Sequence, residues 1–598
     1  MSSSNLVEGT LDGEELLIIH CNIIELIGEP GYTDIWIYRE EGINFTHSWL
    51  NKPVNLVVKG QESTDKRYYY GFVSECDFET IEEHYLKYRL RILPEFGFSQ
   101  FKQDCCIYQN MTVIDIIKKK IDELGIADYK VVTDSQYSVI EYCTQYNETD
   151  LSFITRMIKE YGLYYYFEHN KNSCTIVFID NNNCHYCLEK GAKFSLLMAK
   201  ENVITPDKNT LRVWKNIARV KHNKNTSRKF DYLKPNAPYE VEKVSPLKHL
   251  TNKEIYQYPA HNQAQSESEL ENEIVLQSST QSEYFIGETA SPHLCSGYFI
   301  KLEDHPQECL NDQYLITNIE YNITNASARS SDSNTSSMVC RFKATLKNNQ
   351  FRLNKRVSKP NVSGVDTAIV VGPKGKEIYT DKLGRVKVQF HWDRIGKKDE
   401  NSSCWIRVAQ GWSGAGYGYV SIPRVNEEVI VSYELGNPDK PIITGRVYNP
   451  KMQLPYTLPE NESISGWKTK STPNGKGYNE FILDDSNGAE LIRLKAENNL
   501  EINTLNDRNE KTNGYVNEEV KKDKSVTIYG NEERKTKGDM KHEVLGDMNH
   551  EILGEVNLKS KTKITLECSG SKISIGPEGI NIKTMGIIKI NGTLVKIN

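Results

Sequence analysis

Several short stretches of this 598-residue chain place reactive side chains at spacings that chemistry can use. Cys184-His185-Tyr186-Cys187 has the two-residue gap of a zinc or dithiol site. Zinc needs two further ligands at a matching separation, and neither a second Cys-x-x-Cys nor a paired histidine motif follows. The stretch therefore reads as a strand-end loop after the apolar run Cys174 to Asp180. Gly411-Trp412-Ser413-Gly414-Ala415 approaches a nucleophile elbow, but it closes in alanine and precedes a strand where that motif needs a strand-to-helix turn. Gly372-Pro373-Lys374-Gly375-Lys376-Glu377 lacks the glycine spacing and the Ser or Thr of a phosphate loop, so a hairpin turn accounts for it. Asp484-Asp485 with Asn487 and Gly488 offers oxygens to calcium, yet a calcium loop gathers six or more, and Asn-Gly is first a two-residue hairpin turn. Glu82-Glu83 lies on an exposed polar strand and reads as solvated. Tyr164, Tyr165, Tyr166 and Phe167 could stack on a sugar, but after a helix ending at Gly162 they fit a core strand. Trp392, Trp405 and Trp412 are expected to pack a barrel. No residue is assigned a catalytic, cofactor-binding or metal-binding role, and the chain reads as a non-enzyme without a cofactor.

His542 and His550 belong to a stricter pattern. Glycine returns on an eight-residue beat at Gly514, Gly530, Gly538, Gly546, Gly554 and Gly570, with Lys522 and Thr562 on the two remaining beats. Between beats the residues alternate in the manner of a strand, as in Met540, His542, Val544 and then Met548, His550, Ile552. Burying two branched side chains returns roughly 3–6 kcal/mol. Fixing eight backbone units costs on the order of 8–16 kcal/mol. Such a unit must stack along itself and wrap around partner chains, which predicts a rigid β-structured shaft shared by three copies. Glycine on each beat is expected to supply the positive φ of a tight corner. Val, Ile, Leu and Met are expected to face inward, and Lys and Glu outward. Facing the axis of a trimer, His542 and His550 would stack two rings of three imidazoles able to hold a metal or an anion; on the wet face they would stand beside Glu543 and Glu551.

The bulk numbers bound what surrounds this shaft. The length predicts several domains, and a net charge of -6 gives no general reason to expect nucleic acid. Thirteen cysteines, an odd number scattered along the chain, suit reduced thiols. The start lacks the basic patch and apolar core of a signal peptide, which predicts synthesis in the cytoplasm and export by another route.

Short strands are expected in LLIIHCNIIEL, VNLVVKG, YYYGFVSECDF and HYLKYRLRILP before residue 100. Helices start at Thr112 and Thr149 and close at Gly125 and Gly162. Residues 262–282 read as a helix or linker, and Asn325 to Ser337 as an exposed, mobile loop. From Ala368 to Tyr448 the texture is that of a small closed barrel, with strands in AIVVG, RVKVQFHW, CWIRVAQG, YGYVSIPR, EEVIVSYEL and PIITGRVY.

Longer runs carry a resemblance. They include Ile378 to Asp381, Gly384-Arg385-Val386-Lys387-Val388-Gln389-Phe390-His391-Trp392-Asp393, Ser402 to Val408, and Ile422 to Val429. The last of the barrel runs is Gly436-Asn437-Pro438-Asp439-Lys440-Pro441 through Asn449. With Glu141 to Tyr146, Asp150, Phe153, Glu160-Tyr161-Gly162, Asn311 to Thr317 and Phe481 to Leu494, they make the chain resemble VgrG. That is the valine-glycine repeat spike family of bacterial type VI secretion systems, itself similar to the fused hub and spike of contractile phage tails. The resemblance implies a mainly β fold: a phage-tail-hub-like region of barrel subdomains with helices over 1–355, an oligomer-binding (OB) barrel over 365–450, a neck over 451–500, and a trimeric intertwined β-helix over 501–598.

It implies a homotrimer that sits on an Hcp-like tail tube among baseplate proteins and is driven outward into a target membrane. A PAAR-type tip protein is expected near Ile587 to Ile597, and separate effectors are expected as cargo, since about 30 residues after Gly570 leave no room for a toxin domain. The alternatives are the hub and spike of a contractile phage or phage-derived particle, a glycan-binding adhesin, and a cell-wall hydrolase spike, for which the neck is too short to hold an inserted catalytic domain. The octads depart from the family in being rich in Lys, Glu, Met and His. Val425-Asn426 replaces a site where glycine is common, so the turn there is expected to differ.

Overall fold

The computed structural model describes residues 5–597 apart from 43–45, 61–64, 83, 190–191, 197–208, 238, 245–250, 259–281, 327–335 and 354–358. The polar stretch before Ser282 and Glu83 thus lie outside the described residues. By contacts the chain divides into two units, Met1–Leu500 and Glu501–Asn598. No described helix is long and apolar enough to cross a membrane.

Period-two alternation builds most of the first unit. In Pro53–Lys59 the side chains of Val54, Leu56 and Val58 are buried while their neighbours are half-exposed. This strand belongs to an antiparallel run ordered Leu17–Leu26, Glu29–Arg39, Tyr85–Leu93, Lys66–Glu82, Pro53–Lys59 and Val7–Leu11. Gln313–Thr324 pairs with Leu17–Leu26 and carries the sheet into a second group, Ser337–Leu346, Glu283–Thr289, Thr210–Ala218, Lys193–Leu196 and Phe299–Glu303. Phe299–Glu303 pairs back onto Gln313–Thr324 and closes that group into a barrel.

Asn325, expected in a mobile loop, is instead buried. Its side-chain oxygen accepts from the amides of Leu6 and Val7, and its amide group donates to the carbonyls of Val7 and Ile18. All four hydrogen-bonding positions of the side chain are thereby used to pin the first strand. Residues 327–335 of that loop lie outside the described residues, and its expected last residue, Ser337, instead begins the strand Ser337–Leu346.

Two helices pack beside these sheets as the caps predict. Helix α1 (Val113–Glu123) begins with a complete capping box, Thr112 and Asp115 each bonding the other's backbone amide, which stabilises the first turn by about 1 kcal/mol. Helix α2 (Asp150–Glu160) is capped by Thr149. Tyr164–His169 follows as a buried strand, so the run Tyr164 to Phe167 is core.

His185 packs against this strand. Its Nδ1 donates to the Gly297 carbonyl at 2.6 Å and its Nε2 accepts from the Tyr164 hydroxyl at 3.1 Å. Gly297, at φ +83°, lies against the Tyr166 ring, where a Cβ would come within 2.4 Å of it. Burial holds the His185 imidazole down at about 4, although the Gly297 carbonyl works in the opposite direction. The neutral ring is therefore favoured on folding, so its contribution is present above the ordinary value of 6.5 and is lost as pH falls from 6.5 towards 4. The loss should reach about 3 kcal/mol. Urea unfolding at pH 7 and pH 4.5 should show a steeper acid weakening in the natural protein than in His185→Gln.

Residues 366–447 form the OB barrel, with strands ordered Lys387–Phe390, Asp366–Val371, Glu428–Tyr433, Pro441–Val447 and Arg407–Val408. A bridge between Val386 and Ile406 closes it around Val370, Val388, Phe390, Val429 and Val431. The expected strand Tyr417 to Arg424 does not form. A narrow hairpin from Trp412 to Tyr419 stands there instead, clasped by a Ser413–Gly418 bridge. Trp412 is 64% exposed, whereas Trp392 packs on the core and Trp405 lies over Tyr379. Barrel closure through Ile406 leaves that tryptophan beyond the last pleat. Asn426 keeps a left-handed φ of +76°, a conformation asparagine tolerates better than most side chains. The neck is a small sheet of Ile464–Lys468, Glu480–Asp484 and Leu491–Lys495.

All thirteen cysteines are free thiols. Burial pushes those of Cys76, Cys106, Cys184 and Cys295 up to about 11. Cys187, Cys309 and Cys568 are exposed.

Candidate functional site

None of the reactive-looking stretches assembles a catalytic constellation among the described residues. Cys184 ends a short turn, His185 is enclosed by tyrosines, and Cys187 points out to solvent. Ser413 sits in the exposed hairpin. Gly372 to Glu377 is a turn, with Lys376 donating to the Pro373 carbonyl. Asp484 already accepts from the Ser463 hydroxyl and from the Ser486 amide and hydroxyl. The Asn487-Gly488 pair centres a turn within a six-residue connection, not a two-residue hairpin loop, because the last strand pair is Asp484 with Leu491. Glu82 accepts from the Tyr38 hydroxyl and pairs with Lys87 at 3.6 Å.

Two regions do bring together what the sequence marked. The first is the joint between helix α2 and the OB barrel. Lys359 reaches Glu160 of α2 and Asp439 of the barrel, each at 3.4 Å. Asp439 also accepts from the Thr144 amide at 2.7 Å. The runs Glu141 to Tyr146 and Gly436 to Pro441 thus meet in space. Burial opposes the charge on Lys359, but Glu160 and Asp439 outweigh it and hold the ammonium above its usual range. Tyr146 and Tyr433 both donate to Asp366, and the Tyr146 ring lies edge-on to Trp392. Sequence reasoning missed Lys359; its one signal was a lysine just before a barrel rich in paired acids.

The second region is the octad unit. Bends fall at residues 505–506, 513–514, 521–522, 529–530, 537–538, 545–546, 553–554 and 561–562, with eight-residue spacing. The same spacing continues through turns at 569–570 and 577–578 to a bend at 585–586, so the beat runs past Gly570, the last one expected. The antiparallel strands Ile564–Cys568, Ser571–Gly576 and Gly579–Lys583 occupy this last part.

The expectation of positive φ on every beat is overturned. Gly514, Gly530, Gly538, Gly546 and Gly554 all lie outside that region, and only Gly570 among the beat glycines to that point adopts it, at +83°. The earlier corners are open bends; the tight turn at Ser569–Gly570 is the one that needs the left-handed conformation. Lys522 and Thr562 show that an open corner accepts a side chain. Gly538→Ala should therefore change the midpoint of thermal unfolding little, within about 0.5 kcal/mol. Gly570→Ala should cost about 1–2 kcal/mol.

Apolar side chains throughout this unit lack cover. Leu505, Leu545, Leu553 and Met585, each just before a beat, are 97–100% exposed. Two, four and six places into the octads stand Val516 and Val520, Val526 and Ile528, Met540 and Val544, Met548 and Ile552, also exposed. The neck repeats the situation. Trp467 stacks on Phe481, and with Leu483, Leu494 and Ile492 it makes an apolar face whose rim is 37–72% exposed. A contiguous apolar surface of this kind marks an interaction site. His542 and His550 share the side of Met540, Val544, Met548 and Ile552, since alternation sends Glu543 and Glu551 the other way. Within one chain no three described His, Cys, Asp or Glu residues converge on a metal position.

Similarity to known proteins agrees with this division of labour. Residues 25–327 match the phage tail baseplate hub (GPD) family. Residues 374–448 match the type VI secretion system/phage-baseplate injector OB domain, and 465–575 the bacteriophage T4 gp5 C-terminal trimerisation domain. Type VI secretion system spike protein VgrG1b of Pseudomonas aeruginosa is 31% identical over 84% of this chain and 68% of its own length. VgrG1a of the same organism is 33% identical over 75% of this chain and 70% of its own. The actin cross-linking toxin VgrG1 of Vibrio cholerae is 31% identical over 72% of this chain but only 39% of its own. Among solved structures, an E. coli type VI secretion component described as similar to the T4 tail proteins gp27 and gp5 covers 73% of this chain and 99% of its own, with a TM-score of 0.52 and 17% identity, a likeness of fold. A trimerisation domain on exposed octads, behind a hub and an OB barrel, identifies the chain as a member of the VgrG family of type VI secretion system spike proteins.

Proposed function

We infer that this chain is one of three identical subunits of a puncturing spike, and that the stretch in hand works mechanically, not as an enzyme. The observation that carries the reading is the exposure of the octad side chains: Val516, Val526 and Met540 are 78%, 68% and 61% exposed in a single chain. Three copies wound together would cover the apolar positions and pair the backbones, leaving few free edges. In this reading the hub rests on an Hcp-like tail tube among baseplate proteins, a PAAR-type tip caps the end near Ile587 to Ile597, and effectors ride as separate partners. One neighbour in fold is a chain of a PdpA-VgrG complex, with a TM-score of 0.53 and 10% identity. The protein would be made in the cytoplasm and leave the cell when the apparatus fires.

The joint at Lys359 fits the same work, because it couples the helical part of the hub to the barrel through buried charges that resist sliding. The neck is a three-stranded sheet with no inserted domain among the described residues, so a cell-wall hydrolase spike is not favoured. A phage-derived particle would use the same parts, and the genes beside this one separate the two cases. The test is release. Cells with a complete apparatus should deliver the protein to the medium, and cells lacking the tube protein should not. Release that is indifferent to the tube protein would refute the assignment.

A further inference from the structure

The charges of the octad unit are sorted by face in a way that apolar exposure alone does not explain. Counting from each bend, positions two, four and six share one side of the extended chain and odd positions the other. The ion pairs agree with this count, since partners two residues apart lie on the same side. Six charged side chains occupy the even face between residues 508 and 534, and all six are paired. Arg508 pairs with Glu510, Lys524 with Glu518 at 2.6 Å, and Arg534 with Glu532 at 3.0 Å. The sum is zero. Beyond Arg534 the even face carries no full charge as far as Cys568: Met540, His542 and Val544 give way to Met548, His550 and Ile552, then Val556 and Leu558. The odd face differs. Between residues 507 and 561 it holds one ion pair, Lys541 with Glu543 at 2.7 Å, while Lys511, Glu519, Asp523, Lys535 and Lys559 have none.

On a wet surface this sorting would be idle, because exposed ion pairs contribute little. On a face about to be covered it matters, because a charge buried without its partner is far more costly than one left in water. Resting on the trimer reading, we propose that the even face from Arg508 to Arg534 is a charge-balanced contact surface for two further copies of this chain, and that its ion pairs fix the axial alignment of the three. The later octads cannot set that alignment. DMKHEVLG and DMNHEILG differ on the even face only by Val544 against Ile552, so a slip of one octad exchanges near-identical side chains. The earlier octads can. Their even-face triplets are Arg-Glu-Thr, Val-Glu-Val, Lys-Val-Ile and Glu-Arg-Thr, and a one-octad slip sets each against a different charge pattern. A polar position that specifies register within an apolar seam has the same logic in coiled coils.

The full chain tests this by native mass spectrometry and thermal unfolding. A natural protein that is monomeric would refute the trimer reading itself. Given a trimer, Arg534→Glu should lose it or lower its midpoint sharply, Lys535→Glu on the odd face should leave both unchanged, and the swap Glu532→Arg with Arg534→Glu should recover assembly. Arg534→Glu behaving like Lys535→Glu, or a swap without recovery, overturns the contact surface. For alignment, a spin label on a bio-orthogonal residue replacing Asn531 should give one interchain distance in the natural protein. Several distances are expected when all six charges become leucine. A leucine variant that keeps a single distance, or no longer forms trimers, overturns the aligning role.

Discussion

Ending the chain at Asn513 should convert the trimer into monomers, read directly as a fall in native mass of about 3.5-fold, since each copy also becomes shorter. The truncated protein keeps the unit Met1–Leu500, with its barrel, helical and OB cores intact. What it loses is almost the whole octad surface. Each octad buries nothing by itself, since every residue from 501 to 562 is exposed in one chain. Two or three branched side chains covered per octad would return several kcal/mol for each copy, at about 1.5–3 kcal/mol per side chain. Summed over the octads removed, that exceeds what the neck face of Trp467, Leu483, Ile492 and Leu494 can offer. The same far-ultraviolet circular dichroism per hub residue should accompany the fall in mass, showing that the folded unit survives. A truncated protein still trimeric at micromolar concentration would move the source of association into the hub.

Removing one ammonium should loosen the barrel from the helices almost as decisively. In Lys359→Met, Glu160 and Asp439 are left facing the same small space, with side chains only 9% and 10% exposed. Arg156 still stands beside Glu160 at 3.8 Å, so the carboxylate that loses its cation is that of Asp439. The cost should be about 3 kcal/mol, at the lower end for a broken buried pair because Lys359 itself keeps 15% exposure. Calorimetry should then separate a barrel transition that melts first. Lys359→Met with Asp439→Asn should recover part of the loss, since it removes the charge left without its cation while keeping an oxygen for the Thr144 amide. If the single variant melts as the natural protein does, Thr144 and its neighbours hold the joint without the lysine.

Much of this architecture could be read before the coordinates. The capping box at Thr112 and Asp115, the buried strand from Tyr164, and the eight-residue beat all depend on neighbours within a few residues, which is the range over which sequence patterns speak. The failures have a common cause in distance along the chain. Asn325 was placed in a loop for its polar surroundings, yet its partners are Leu6, Val7 and Ile18, more than three hundred residues away. Lys359 meets Glu160 from about two hundred residues away. Trp412 was assigned to the barrel by hydrophobicity, but closure at Val386 and Ile406 decides which residues lie inside. The beat glycines failed for a local reason: open bends do not demand positive φ, so the sequence pattern was right and its backbone explanation was not. The even-face ion pairs depart from the expectation that Lys and Glu face outward, although opposite charges two apart in an alternating stretch share a side.

The thiols have a further consequence for how the protein ages. Disulfide exchange proceeds through the thiolate. Where burial pushes Cys76, Cys106, Cys184 and Cys295 up to about 11, almost no thiolate forms at neutral pH. Oxidation would therefore begin at Cys187 and Cys309, the hub thiols open to water. The interior of the hub is thereby shielded from oxidants, and oxidative ageing would be written at those two sulfurs first.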